Sequence, residues 1–176
     1  PALKNYVLNI TDGTVVWMLA GPAPYHGLII ASSSGENHFN MVDLSGTVYN
    51  NSIYHDAGAA GYTVFNGGVL SSPVSLISGA LFALHETELA GDITIDTAYA
   101  GFLTISDNYA VSTSSDIDIS VGANVNDFII SDNHLGGGTI TVAAGTSNRY
   151  QITGNVSASV SDGGTGSSKL ILTSGQ

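Results

Sequence analysis

The sequence predicts an all-β chain wound into a parallel solenoid, and three observations carry that expectation. The first is a phrase repeated between Gly101 and Asn155. It reads Phe102-Leu103-Thr104-Ile105-Ser106-Asp107-Asn108, then Phe128-Ile129-Ile130-Ser131-Asp132-Asn133, then Tyr150-Gln151-Ile152-Thr153-Gly154-Asn155. The closing Asn residues lie 25 and 22 positions apart. A period of this size marks a structure whose turns bury their apolar faces only by stacking on one another. The second is punctuation: apolar stretches of three to five residues alternate with Gly, Asp and Asn turn signals at spacings of about 8 to 12 residues. The third is composition, with 22 Gly and 10% charged residues, which disfavours helix interiors.

Taken in order, Tyr6-Val7-Leu8-Asn9-Ile10 alternates and breaks at Thr11-Asp12-Gly13, and the apolar run Val15–Leu19 ends at Gly21-Pro22-Ala23-Pro24. Residues 1–25 therefore read as strands leading into the solenoid, 26–172 as its coils, and 173–176 as a tail. The coils continue through Gly27–Ile30, Phe39–Leu44, Thr47–Tyr49, Ile53–His55, Tyr62–Phe65 and Val69-Leu70. Ile93–Ile95, Ile117–Val121, Thr139–Val142, Ala158–Val160 and Leu170–Leu172 complete them. Coils of about 22 residues give roughly eight turns and a stack of about 38 Å. An antiparallel sandwich shows the same strand spacing, but it has no reason to repeat one Asn every two or three strands. That Asn has a physical role here. It tolerates left-handed backbone geometry, and its amide reaches the equivalent Asn one coil away. One segment is ambiguous: Ser72-Pro73 through Gly91 fits a capped amphipathic helix. Gly79 inside it costs about 1 kcal/mol in a helix, so two strands, Val74–Ile77 and Ala80–Leu84, are the favoured reading.

Charge excludes several partners. Three basic residues, Lys4, Arg149 and Lys169, face 14 acidic ones for a net charge of -11. Affinity for nucleic-acid backbones and anionic membranes comes from clustered Lys and Arg, so neither is expected. A neutral sugar is an easier ligand than an acidic one. There is no cysteine to staple the fold or report its redox compartment, and no apolar run approaches the length of a membrane span. Beginning on Pro1 in strand-like sequence, the chain reads as a processed product or a piece of something longer.

The repeated phrases, and the ending Tyr150–Asn155 followed by Asp162-Gly163-Gly164-Thr165-Gly166 and Lys169-Leu170-Ile171, resemble the last coils of a right-handed parallel β-helix. The style is that of phage tailspikes and tail fibres in the pectate-lyase-like superfamily. The likeness is good over 92–172, weaker over 26–91 and absent over 1–25. It implies a parallel homotrimer on an extracellular virion tail, other tail proteins as partners, and binding of bacterial surface polysaccharide, which such proteins often also cleave. Its motifs are structural, so they identify a scaffold rather than an activity.

On such a scaffold the interior is filled, so a sugar must lie on an outer groove or between chains. Aromatic candidates for holding it are Trp17, Tyr25, Tyr49, Tyr54, Tyr62 and Tyr99, with Trp17, Tyr54 and Tyr99 preferred; the competing role is to cover the sheet or a subunit contact. Hydrolysis needs two carboxylates several ångströms apart. The richest cluster is His85-Glu86-Thr87-Glu88, in which Glu86 and Glu88 share a face if they lie on one strand, with Asp56 and Asp43 as stacked partners and Asp92 and Asp96 following. These acids equally suit a solvated edge that discourages strand pairing. Lyase chemistry must neutralise a uronate carboxylate, usually with Arg, Lys or a metal, and this chain has one Arg, near its end. The histidines, His26, His38, His55, His85 and His134, have no metal-ligand spacing and read as surface or loop residues. Asp107-Asn108 and Asp132-Asn133 read as turn chemistry rather than calcium loops. No cofactor or metal is expected. Three functions follow: a polysaccharide-binding tail-fibre segment, a tailspike endoglycosidase using Glu86, Glu88 and Asp56, or a secreted bacterial β-helix adhesin or polysaccharide-active enzyme.

Overall fold

The structure is a computed structural model that describes residues 7–10, 16–17, 26–30, 36–44, 51–55, 61–112, 116–145, 149–165 and 168–172. Its strands begin with β1 (Val7–Ile10), β2 (Val16–Trp17), β3 (His26–Ile30), β4 (Glu36–Leu44), β5 (Asn51–His55) and β6 (Tyr62–Leu70). They continue with β7 (Val74–Leu76), β8 (Leu81–His85), β9 (Glu88–Leu89), β10 (Ile93–Ile95), β11 (Phe102–Ser106) and β12 (Tyr109–Ala110). The last are β13 (Ile119–Val121), β14 (Asp127–Ser131), β15 (Thr139–Val142), β16 (Arg149–Thr153), β17 (Ser159–Asp162) and β18 (Ser168–Leu172). No helix forms among the described residues, and the ambiguous 72–91 segment holds strands β7, β8 and β9.

Two sheets share the chain. One runs β1-β4-β6-β8-β11-β14-β16-β18 and the other β17-β15-β13-β10-β7-β5-β3-β2. Every step from β4 to β18 and from β3 to β17 is parallel, the arrangement of a parallel β-solenoid. The solenoid makes about five turns, fewer than the roughly eight that a coil of about 22 residues suggested. Part of the difference lies at the start, where β1 and β2 run antiparallel to β4 and β3 and add no coil.

The inward columns form one apolar core. Phe39 and Phe65 stack at 4.5 Å between ring centres, Phe65 leans on Phe82 at 5.9 Å, and Phe128 stacks on Tyr150 at 4.7 Å. Each such side chain, fully buried, contributes about 1.5–3 kcal/mol. His55 corrects its expected surface placement: it is buried in this core. Its Nδ1–H donates to the Ser78 carbonyl, and its Nε2 accepts from the Thr63 hydroxyl at 3.3 Å. Asn37 in turn reaches Thr63 at 3.5 Å. The burial is tolerable because both ring nitrogens are bonded.

A bend recurs in the first sheet at aligned positions. Met41, Gly67, Glu86, Asp107, Asp132 and Gly154 stack by register, and all have positive φ, from 52° to 73°. The left-handed residue is thus the one before Asn, and not Asn itself as the sequence suggested. Behind the bend Asn108, Asn133 and Asn155 stack as expected. Asn108 Nδ2 donates to Asn133 Oδ1 at 2.9 Å, and Asn133 Nδ2 to Asn155 Oδ1 at 2.8 Å. The same amides donate to the carbonyls of Leu84, Ile105 and Ile130 at 3.0 Å, while their oxygens accept the backbone N–H of Thr87, Asn108 and Asn133. Beyond the bend β9, β12 and the bridges at His134 and Val156 form a narrow third face.

Candidate functional site

Register places two outward columns side by side on the first sheet. One contains Tyr62, Leu81, Phe102, Asp127, Arg149 and Ser168. The other contains Val64, Ala83, Thr104, Ile129, Gln151 and Leu170. At their lower end a shallow depression of about 290 Å³ is lined by Phe102, Asp127, Ile129, Arg149, Gln151, Ser168 and Leu170, among others. The apolar rim is solvent-facing, with Phe102 39% and Leu170 46% exposed. Arg149 forms a fork on Asp127, Nε to Oδ1 at 2.8 Å and Nη2 to Oδ2 at 2.9 Å, while remaining 73% exposed. A bidentate pair fixes both groups in one plane. It also leaves guanidinium protons and carboxylate lone pairs for a ligand. An aromatic plate beside an acid, an Arg and an amide is the chemistry that binds a neutral polyol: a ring face for its C–H groups and paired donors and acceptors for its hydroxyls.

Just inside this end, the apolar column gives way to polar groups. The Tyr150 hydroxyl donates to Asp162 Oδ1 at 2.5 Å, and Lys169 Nζ donates to Asp162 Oδ2 at 2.6 Å and to the Gly164 carbonyl at 2.7 Å. Burial pushes the Asp162 carboxyl up, but the bonds from Lys169, Tyr150 and the Gly164 N–H outweigh it and hold the group below the ordinary carboxylate range. Burial first, then the neighbouring Asp162, push the Tyr150 phenol well above its ordinary value. Both described basic residues, Arg149 and Lys169, are thus already held by carboxylates.

The residues singled out from sequence do not converge here. Glu86 and Glu88 do not share a strand face: Glu86 occupies the bend with φ 52°, and Glu88 opens β9 beyond it. Asp56 lies outside the described residues. Asp43, Val69 and Glu88 stack in one outward column, so Asp43 and Glu88 are two rungs, about 9.6 Å, apart. Tyr99 is a correction: expected at the surface, it is 1% exposed and donates its hydroxyl to the Phe102 carbonyl at 3.1 Å. Burial raises its phenol well above the usual value. It supports the rung that carries Phe102 rather than presenting a ring. Tyr54 is half-buried on β5, and Tyr62 is exposed on the outer column. Trp17 sits on β2 opposite Ile29, while Tyr25 and Tyr49 lie outside the described residues.

Phe102, Asp127, Arg149 and Gln151 were not selected as site residues from the sequence, yet a signal existed. Counting back from the Asn of each repeat, Phe102 is one residue farther away than Phe128 and Tyr150. On a strand one residue reverses the face. Phe102 therefore pairs with Asp127 on the outside, while Leu103 aligns with Phe128 inside. No family model, curated protein or solved structure matches the chain.

Proposed function

We propose that the chain is a polysaccharide-binding segment of a phage virion tail fibre or tailspike, a right-handed β-helix assembled as a parallel homotrimer that recognises a neutral bacterial surface glycan. The observation that carries the reading is the outward depression at Phe102, where a ring plate, the Asp127–Arg149 fork and Gln151 stand together on a stiff ladder. The charge balance supports a neutral ligand, because a chain at -11 repels acidic sugars. A filled interior supports surface binding, since the inward columns leave their space to Ile, Leu, Val and Phe.

The test is an array of bacterial surface polysaccharides probed with the purified protein. Neutral polysaccharides are expected to bind, and Phe102→Ala is expected to weaken that binding about tenfold, the loss of roughly 1.4 kcal/mol. Failure of every neutral polysaccharide to bind overturns the reading. Release of reducing ends during incubation would instead favour the endoglycosidase alternative. Light scattering tests the assembly, with a mass of three times 18.0 kDa expected.

A further inference from the structure

We infer that the Asp162–Lys169 ion pair plugs the lower end of the core and keeps a second copy of the chain from stacking on it end to end. Two inward columns finish at this end. In the first sheet Phe128 and Tyr150 are followed by Lys169, and in the second Val121 and Val142 are followed by Asp162. A charged residue thus takes a core position on the last rung of each sheet, where the rungs above carry apolar ones. The columns face each other across the core. Lys169 Nζ donates to Asp162 Oδ2 at 2.6 Å, and the Tyr150 hydroxyl one rung up donates to Asp162 Oδ1 at 2.5 Å.

Everything else at this end invites pairing. β17 and β18 are the last strands of their sheets, so each offers a row of backbone donors and acceptors to a further strand. Leu170 and Leu172 are 46% and 58% exposed, and Val160 and Ile171 are only partly buried against the core. A stacked copy would gain ladder bonds and apolar area, but it would take the ion pair out of water. The side chains of Lys169 and Asp162 keep 33% and 17% of their surface exposed. Removing that hydration costs more than the attraction of the pair returns. Stability does not account for the pair, because apolar residues in both positions would serve it at least as well. Specificity does, since a charge on a sheet end selects against the wrong association.

The same two columns turn polar once more in the upper turns, at His55 and Thr63, and the contrast is instructive. Those side chains are fully buried and bonded to each other at 3.3 Å. β3 and β4 continue the sheets above them, and β1 and β2 lie antiparallel outside those. The covered plug is an imidazole with a hydroxyl. The plug at the sheet ends is an ammonium with a carboxylate, and it reaches water.

The test is light scattering on the full chain over a dilution series. Asp162→Val with Lys169→Leu restores apolar residues to both columns and is expected to give about twice the wild-type mass or more, falling back on dilution. The reversed pair, Asp162→Lys with Lys169→Asp, is expected to keep the wild-type mass. So is Thr94→Val with Ser120→Leu, which adds apolar atoms to the outward face of the second sheet instead. A folded Val/Leu variant at wild-type mass overturns the proposal, and so does equal association of the reversed pair or of the outward-face variant. Circular dichroism melts establish that each variant folds. Where the Val/Leu variant does not, Asp162→Asn with Lys169→Met carries the same expectation. If neither folds, the pair holds the last coil together rather than blocking a copy, and the proposal falls.

Discussion

The upper and lower bends of the first sheet make the same backbone kink by different means. In the upper turns the left-handed positions are Met41 and Gly67, followed by Val42 and Gly68, with no amide behind them. There the strands stay continuous for nine residues, and the stacked Phe39 and Phe65 lie just inside. In the lower turns acidic Glu86, Asp107 and Asp132, and then Gly154, take the kink, and Thr87, Asn108, Asn133 and Asn155 stand behind it. A left-handed residue is sufficient to turn the strand. What locks one turn onto the next differs: apolar stacking alone above, and amide bonds added to apolar stacking below. Gly68 also shows how tight the upper route is, since a Cβ there would strike the Val42 carbonyl.

The comparison can be broken most forcefully in the upper half. Phe65→Ala should cost about 3–5 kcal/mol, seen as a lower midpoint in urea, because it opens a cavity between Phe39 and Phe82. The counterpart below is Asn133→Ala. It strands the Asn108 amide and the Ile105 carbonyl inside the fold and should cost about 2–4 kcal/mol in the same titration. If Asn133→Ala proves harmless, the amide column is ornament and the lower turns depend on their apolar core alone.

Smaller changes sharpen the picture. Glu86→Gly removes a non-glycine residue from left-handed geometry, so stability should rise by up to about 1 kcal/mol once glycine's own entropy is counted. The same variant tests catalysis: polysaccharide cleavage that vanishes with it would restore the acid as a functional group. The least effect is on pH. Asp162 is held below its unfolded value, so its contribution is present above about pH 4 and is lost as acid carries the folded group through its own titration. Exposure limits it to under about 1 kcal/mol. Melting curves between pH 5 and 2 should fall less steeply for Asp162→Asn than for wild type.

The solenoid was legible because Asn108, Asn133 and Asn155 recur at coil spacing with β-formers between them, and that pattern is a direct image of stacking. The bend was half legible: Asp107 and Asp132 were seen as turn residues, but the left-handed geometry was given to the Asn beside them. Tyr99 and His55 were misplaced for a common reason. Each is an amphipathic ring in a polar-looking stretch, and its burial depends on a bonding partner, the Phe102 and Ser78 carbonyls, that only the folded neighbours supply. The Phe102 face was hidden by a single-residue offset in an otherwise regular phrase. The pairing of Asp127 with Arg149 joins residues 22 apart, a distance that means nothing until the coil closes.

The amide column also governs how such a chain can change length. Its bonded partners are 21, 25 and 22 residues apart, so loops of different size are absorbed between rungs while the bonded positions stay in line. Removing a whole circuit of chain would join one equivalent position to another, whereas deleting a single residue within a strand would turn its core side chains outward. The indivisible unit of insertion and loss in this molecule is therefore the complete circuit, and a lineage of such chains would be expected to vary in height by whole steps.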